Sequence, residues 1–206
     1  MNPPNALTLG RFVMTAVMMI LLASEFPFAR TLALLVFGLA ALTDAFDGHL
    51  ARTRYGVTPF GELMDPLADK VLVCAAFVAL VEIKAPGSAR PLVPAWVVVL
   101  IITREFLVTG LRLLAAGEQR MIPAGAWGKH KTIWQMVALT LLLLGLALIQ
   151  DVFPALKIEA KRFESVFPMI ADVLVLATAA ITALSGIFYF MDHRDLLHTR
   201  HSIRRG

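Results

Sequence analysis

Six long apolar runs alternate with short polar segments along the whole chain. A run of about 20 apolar residues matches the length of a helix that crosses a bilayer, and these runs are continuous and too long for the alternating strands of a barrel. We therefore predict an all-α, polytopic membrane protein with six spans. The predicted spans cover about residues 5–23, 31–52, 60–81, 92–115, 132–150 and 166–190.

Composition supports a membrane location and one chain-long domain. Hydrophobic residues make up 58% of the 206 residues and charged residues only 17%. A soluble domain typically has about 25% charged residues. We predict a single membrane domain over residues 1–206 that ends in a basic tail at about 191–206. The first run is interpreted as an uncleaved helix rather than as a signal peptide.

The basic residues give the chain a net charge of +4, and they flank the apolar runs. This distribution favours anionic lipid headgroups or a phosphorylated substrate over nucleic acid. Six spans place both termini on one side. Counting Lys and Arg outside the spans or at their edges gives eleven on that side and six on the other, so we predict that the termini are cytoplasmic.

Four aspartates interrupt the second and third runs close to the predicted cytoplasmic face. Asp44 and Asp47 are three residues apart, and Asp65 and Asp69 are four apart, so each pair shares one face of a helix. Carboxylates gathered near lipid repel one another unless cations lie between them. The sequence therefore predicts a membrane-embedded site for a divalent metal.

The surrounding residues extend this cluster to the pattern D-x2-D-G-x2-A-R-x8-G-x3-D-x3-D. Its other fixed positions are Gly48, Ala51, Arg52 and Gly61. Small residues such as Gly48 allow a phosphorylated group to approach the backbone closely, and the guanidinium of Arg52 offers paired donors to phosphate. At the N-terminus, Asn5 is a predicted helix cap that leaves Thr8 near the same face.

This pattern, at all eight fixed positions, resembles the signature of the CDP-alcohol phosphotransferase family, whose members have a six-helix membrane fold. The resemblance implies that Asp44, Asp47 and Asp65 bind Mg²⁺ or Mn²⁺ and that Asp69 is the general base, with Asp69 also a candidate ligand. It further implies a reaction in which an alcohol hydroxyl attacks the lipid-side phosphorus of a CDP-linked lipid and CMP leaves. The residues assigned to CDP-lipid binding are Gly48, Ala51, Arg52, Gly61, Asn5 and Thr8.

The identity of the acceptor alcohol is inferred from cations outside the pattern, namely Arg104, Arg112, Lys129 and Lys131. Their position on the cytoplasmic side suggests that the acceptor carries a phosphate. The alternative is that Arg104 pairs with Glu105 or another carboxylate and that the lysines anchor the helices.

The segments PNALTLGR, TREFLVTGLR and GKHKT are similar to the bacterial phosphatidylglycerophosphate synthase branch of the family. That similarity implies transfer from CDP-diacylglycerol to sn-glycerol 3-phosphate in the bacterial inner membrane. It also implies a homodimer. Sister reactions with inositol phosphate, serine or a second phospholipid remain open. A transporter that uses the aspartates as a path for divalent cations is the alternative from a different class, and it predicts polar residues that continue to the opposite membrane face.

Overall fold

The computed structural model describes the backbone of residues 3–54, 59–117 and 126–192, and the side chains of 9–43, 67–68, 70–113, 115, 128 and 130–192. Within these ranges the chain is helical and contains no strand, apart from one isolated bridge between Lys84 and Pro91. The helices are α1 Pro3–Ala23, α2 Ala29–Arg54, α3 Pro59–Glu82, α4 Ala95–Gly117, α5 Ala126–Ala147, α6 Phe153–Ala155 and α7 Lys161–Asp192.

The apolar pattern predicted the six long helices to within a few residues at most of their ends. Pro59 opens α3, as expected for a residue whose fixed φ suits the first helical position. The largest difference is at α5, which begins at Ala126 rather than at Thr132. Its extra turns contain Lys129 and Lys131, and lysine is a good helix former, so the helix continues beyond the apolar window that marked it.

The helices pack as one bundle in which α1 contacts α2 and α3, and α5 contacts α2, α3 and α7. Helix α4 packs against α7 and α3. The interior is apolar and includes Phe37, Phe77 and Leu142, all nearly inaccessible to solvent. This packing buries one face of each long helix and leaves the opposite faces to the surroundings.

Two described helical stretches are long and apolar enough to cross a membrane, His130–Ala155 and Lys161–Asp192. Shorter apolar stretches are found at Leu9–Ala23 and Ala29–Thr43. These stretches belong to the described part of the chain, and the predicted number of six spans and the cytoplasmic orientation of the termini stay predictions.

Polar contacts join the helices at the end where α2 begins and α5 finishes. The Asp151 carboxylate accepts hydrogen bonds from the backbone N–H of Thr31 at 2.6 Å and from its hydroxyl at 2.8 Å. Arg30 donates to Gln150 Oε1 at 2.9 Å and to the backbone oxygen of Leu22 near the end of α1. A π-helical turn over Leu148–Val152 presents Gln150 and Asp151 to these partners. The start of α2 is thereby capped from another helix.

We predict that Gly145→Ala destabilises the fold, because a Cβ at Gly145 would overlap the ring of Phe167 on α7. Overpacking of this kind costs about 1–3 kcal/mol. We expect the melting temperature in detergent to fall by about 5 °C. Gly38→Ala is the control, since nothing lies within 4 Å of a Cβ there. Equal melting temperatures for the two variants would contradict the prediction.

Candidate functional site

The four aspartates lie in the last turns of α2 and the first turns of α3. Helix α2 ends at Arg54 and α3 begins at Pro59. With a rise of 1.5 Å per residue, Asp47 and Asp65 each lie about 10 Å along their helices from these ends, and Asp44 and Asp69 about 15 Å. The backbone register therefore gives the two pairs matching depths in the bundle.

The side chains of these aspartates lie outside the described set, as do those of the predicted CDP-lipid residues. The structure assigns their backbone positions: Asn5 and Thr8 to the first turns of α1, Gly48, Ala51 and Arg52 to the end of α2, and Gly61 to the start of α3. Among the described side chains, no group of three or more His, Cys, Asp or Glu could hold a metal ion. The predicted metal site is formed by aspartates whose side chains lie outside the described set.

Arg104 on α4 lies inside the bundle, with 10% of its side chain exposed. Its Nη2 donates to the Ser185 hydroxyl at 2.6 Å, and its Nη1 donates to Glu105 Oε1 at 3.4 Å. The Nε of Arg104 is buried and has no hydrogen-bond partner among the described residues. An unsatisfied buried donor on a cation is costly, so the Arg104 guanidinium retains capacity to bind an anion.

Lys131 is paired within the protein. Only 3% of its side chain is exposed, and its ammonium donates to Glu105 Oε1. One oxygen of Glu105 therefore serves both Lys131 and Arg104. The alternative prediction that Arg104 pairs with Glu105 is confirmed. Lys131 pairs with the same carboxylate.

The other two predicted acceptor residues have different surroundings. Arg112 is exposed on α4, because eight residues along a helix correspond to a rotation of about 80° from Arg104. Lys129 lies in the first turns of α5, and its side chain is outside the described set. The structure thus brings Arg104 and Lys131 together around Glu105 and leaves Arg112 on the outside.

Helix α7 contributes three buried hydroxyls that the sequence analysis missed. Thr178 accepts from Trp134 Nε1 at 3.1 Å, Thr182 accepts from Gln135 Nε2 at 3.4 Å, and Ser185 accepts from Arg104. Spacings of four and three residues place all three on one helix face. Small hydroxyl residues at this spacing in an apolar helix are the signal that could have revealed them.

A further polar contact joins α3 to α4 directly after Asp69. The ammonium of Lys70 donates to the Thr109 hydroxyl, which itself donates to the backbone oxygen of Glu105 at 2.7 Å. Arg11 on α1 is also buried, with 1% of its surface exposed. Polar side chains of α3, α4, α5 and α7 therefore meet in the half of the bundle that contains the start of α3.

Comparison with known proteins identifies the family. The sequence model described as CDP-alcohol phosphatidyltransferase matches residues 1–184. A Bacillus subtilis (strain 168) protein named CDP-diacylglycerol–glycerol-3-phosphate 3-phosphatidyltransferase is 36% identical, with 96% of this chain and 98% of the relative covered. A Rickettsia bellii protein of the same name is 34% identical over 92% of this chain and 93% of the relative. A Mycobacterium tuberculosis (strain H37Rv) protein named probable phosphatidylglycerophosphate synthase is 42% identical over 71% of this chain and 68% of its own. The chain therefore belongs to the CDP-alcohol phosphatidyltransferase family.

Proposed function

We propose that this chain transfers the phosphatidyl group of CDP-diacylglycerol to sn-glycerol 3-phosphate, which yields phosphatidylglycerophosphate and CMP. The observation that carries the proposal is the similarity, over nearly the full length of both chains, to relatives whose names state this reaction. The eight-position aspartate pattern supports it, because its two halves occupy the end of α2 and the start of α3.

The donor set fits a divalent metal. Oxygen ligands suit Mg²⁺ and Mn²⁺, and the two aspartate pairs have matching depths along α2 and α3. Asp44, Asp47, Asp65 and Asp69 would hold Mg²⁺ or Mn²⁺. A bound metal ion would supply charge neutralisation to the pyrophosphate oxygens of the substrate.

Side chains of the protein would carry out proton transfer and bind the CDP group. Asp69 would accept the proton of the acceptor hydroxyl as that oxygen bonds to the lipid-side phosphorus and the bond from this phosphorus to the CMP oxygen breaks. Gly48, Ala51 and Arg52 would border the CDP group, together with Gly61, Asn5 and Thr8. These assignments follow from the pattern and from the positions of the residues on α1, α2 and α3.

Arg104 has the strongest support as a ligand of the acceptor phosphate. Only 10% of its side chain is exposed, and its Nε is buried without a partner among the described residues. A guanidinium in that state gains a charge-assisted hydrogen bond when phosphate arrives. Lys131 would contribute positive charge through the carboxylate of Glu105 that it shares with Arg104. Arg112 and Lys129 remain candidate ligands of the acceptor phosphate.

The outer faces of the helices support a location in a membrane. Large apolar side chains form exposed stripes, such as Val99, Phe106 and Leu113 on α4 and Met169 and Val173 on α7. Exposed apolar surface of this extent is typical of a protein surrounded by lipid. We propose a multi-pass protein of the bacterial inner membrane with its site facing the cytoplasm, where glycerol 3-phosphate can enter from water.

Purified protein with CDP-diacylglycerol, glycerol 3-phosphate and Mg²⁺ is expected to release CMP, and omission of any of the three should stop the release. Serine or inositol phosphate should support a rate lower by about 100-fold or more, since a site built for one polar acceptor rejects others strongly. No release under any condition would overturn the proposal. Faster release with another acceptor would assign a sister reaction, and metal uptake into proteoliposomes would indicate a transporter.

Two further predictions accompany this proposal. The single domain over residues 1–206 with its basic tail is one, and the homodimer implied by the resemblance is the other. Both stay predictions that size measurement of the purified protein and deletion of residues 191–206 can test.

A further inference from the structure

The buried hydroxyl face of α7 divides into two parts with different partners. Thr178 accepts a hydrogen bond from the indole of Trp134, whereas Ser185 accepts one from the guanidinium of Arg104. Both hydroxyls are at most 2% exposed. Of these two, only Ser185 contacts a residue proposed to bind substrate, so the end of α7 is a candidate part of the acceptor site.

We propose that Ser185 and Gly186 of α7 are positioning residues that orient Arg104 toward the phosphate of the acceptor. This inference rests on the proposed function and adds to it the contribution of α7. Of the two hydrogen bonds from the Arg104 guanidinium to described residues, the one to Ser185 is the shorter, 2.6 Å from Nη2 compared with 3.4 Å from Nη1 to Glu105. The hydroxyl is therefore the closer of the two restraints on the guanidinium plane.

Gly186 affects Arg104 in a different way, because the missing side chain leaves room for the stem of Arg104. A Cβ at Gly186 would lie 3.3 Å from Arg104 Cγ, closer than ordinary van der Waals contact. Any side chain at this position would press the stem of Arg104 away from α7. A guanidinium has five N–H donors. Arg104 uses two of them on Ser185 and Glu105, and its Nε–H has no partner among the described residues, so donors remain for a phosphate.

A positioning role predicts a selective effect on the acceptor. Ser185→Ala removes one hydrogen bond to a charged group, which typically corresponds to at least about a tenfold change in an equilibrium. The KM for glycerol 3-phosphate should therefore rise about tenfold, while the KM for CDP-diacylglycerol should be unchanged within twofold. Gly186→Ala should give the same pattern, because it displaces the same side chain by a different route.

Thr178→Val is the matched control, since it removes a buried hydroxyl from the same face of the same helix. It should leave both KM values unchanged even if it lowers the melting temperature as much as Ser185→Ala does. The measurement is the initial rate of CMP release, with each substrate varied in turn at saturation of the other.

Three results would overturn the inference. They are unchanged acceptor KM values in both α7 variants, equal increases for both substrates, and an equal increase in acceptor KM in Thr178→Val. If Ser185→Ala does not fold, Gly186→Ala alone decides between these results. Failure of the wild-type protein to use glycerol 3-phosphate would instead overturn the proposed function and this inference with it, so the two failures are distinguishable.

Discussion

Asp69→Asn is expected to lower kcat for CMP release by about a thousandfold, with KM values close to those of the wild type. The substitution keeps the size of the side chain and removes the carboxylate that would accept the proton of the attacking hydroxyl. General base catalysis contributes about 10²–10⁴-fold, and loss of a metal ligand would increase the effect. The measurement is the initial rate of CMP release, with CDP-diacylglycerol and glycerol 3-phosphate each varied in turn at saturation of the other.

The control is Glu82→Gln, which makes the same change of charge at the exposed far end of α3. It should retain the wild-type rate. Asp65→Asn separates the two proposed roles: loss of a ligand weakens metal binding, so a higher Mg²⁺ or Mn²⁺ concentration should recover part of its activity. Full activity of Asp69→Asn, or equal recovery of both variants by metal, would contradict the role of Asp69 as the base.

The helices were predictable because a local signal marks each of them. A long apolar run needs only length and composition to be recognised, and Pro59 supplied the start of α3. The aspartate pattern is also local, since 26 consecutive residues from Asp44 to Asp69 contain all eight fixed positions. Most helix ends and the family were therefore available from the sequence.

The pairing of buried charges was not predictable, because it depends on which face each helix turns toward its neighbours. Arg104 and Arg112 look equivalent in the sequence, yet Arg104 is largely enclosed beside Glu105 whereas Arg112 is exposed. Lys131 reads as a cation at a span end, but the longer α5 places it inside the bundle against Glu105. Ser185 carries no charge, so only the packing of α7 against α4 reveals its partner.

These buried pairs make Glu105 the central residue of the described polar cluster. Its Oε1 faces Lys131 and Arg104 at the same time. Removal of Glu105 leaves two buried cations without their carboxylate, whereas removal of Lys131 leaves Glu105 still paired with Arg104. The two single substitutions are therefore expected to differ in cost, although each breaks the same ion pair.

Glu105→Gln is expected to lower the melting temperature by about 10 °C, because loss of one partner of a buried pair costs about 3–5 kcal/mol. Lys131→Met should lower the melting temperature by about half as much or less. It removes one cation, and the carboxylate of Glu105 is still paired with Arg104. The double variant should melt between the two single variants, because only Arg104 of the two described cations then lacks its carboxylate. Its loss in melting temperature should be well below the sum of the two single losses. Glu159→Gln, which breaks an exposed pair with Lys161, should change the melting temperature by no more than about 1 °C. Additive effects of Glu105→Gln and Lys131→Met would show that the pair is not coupled as the geometry requires.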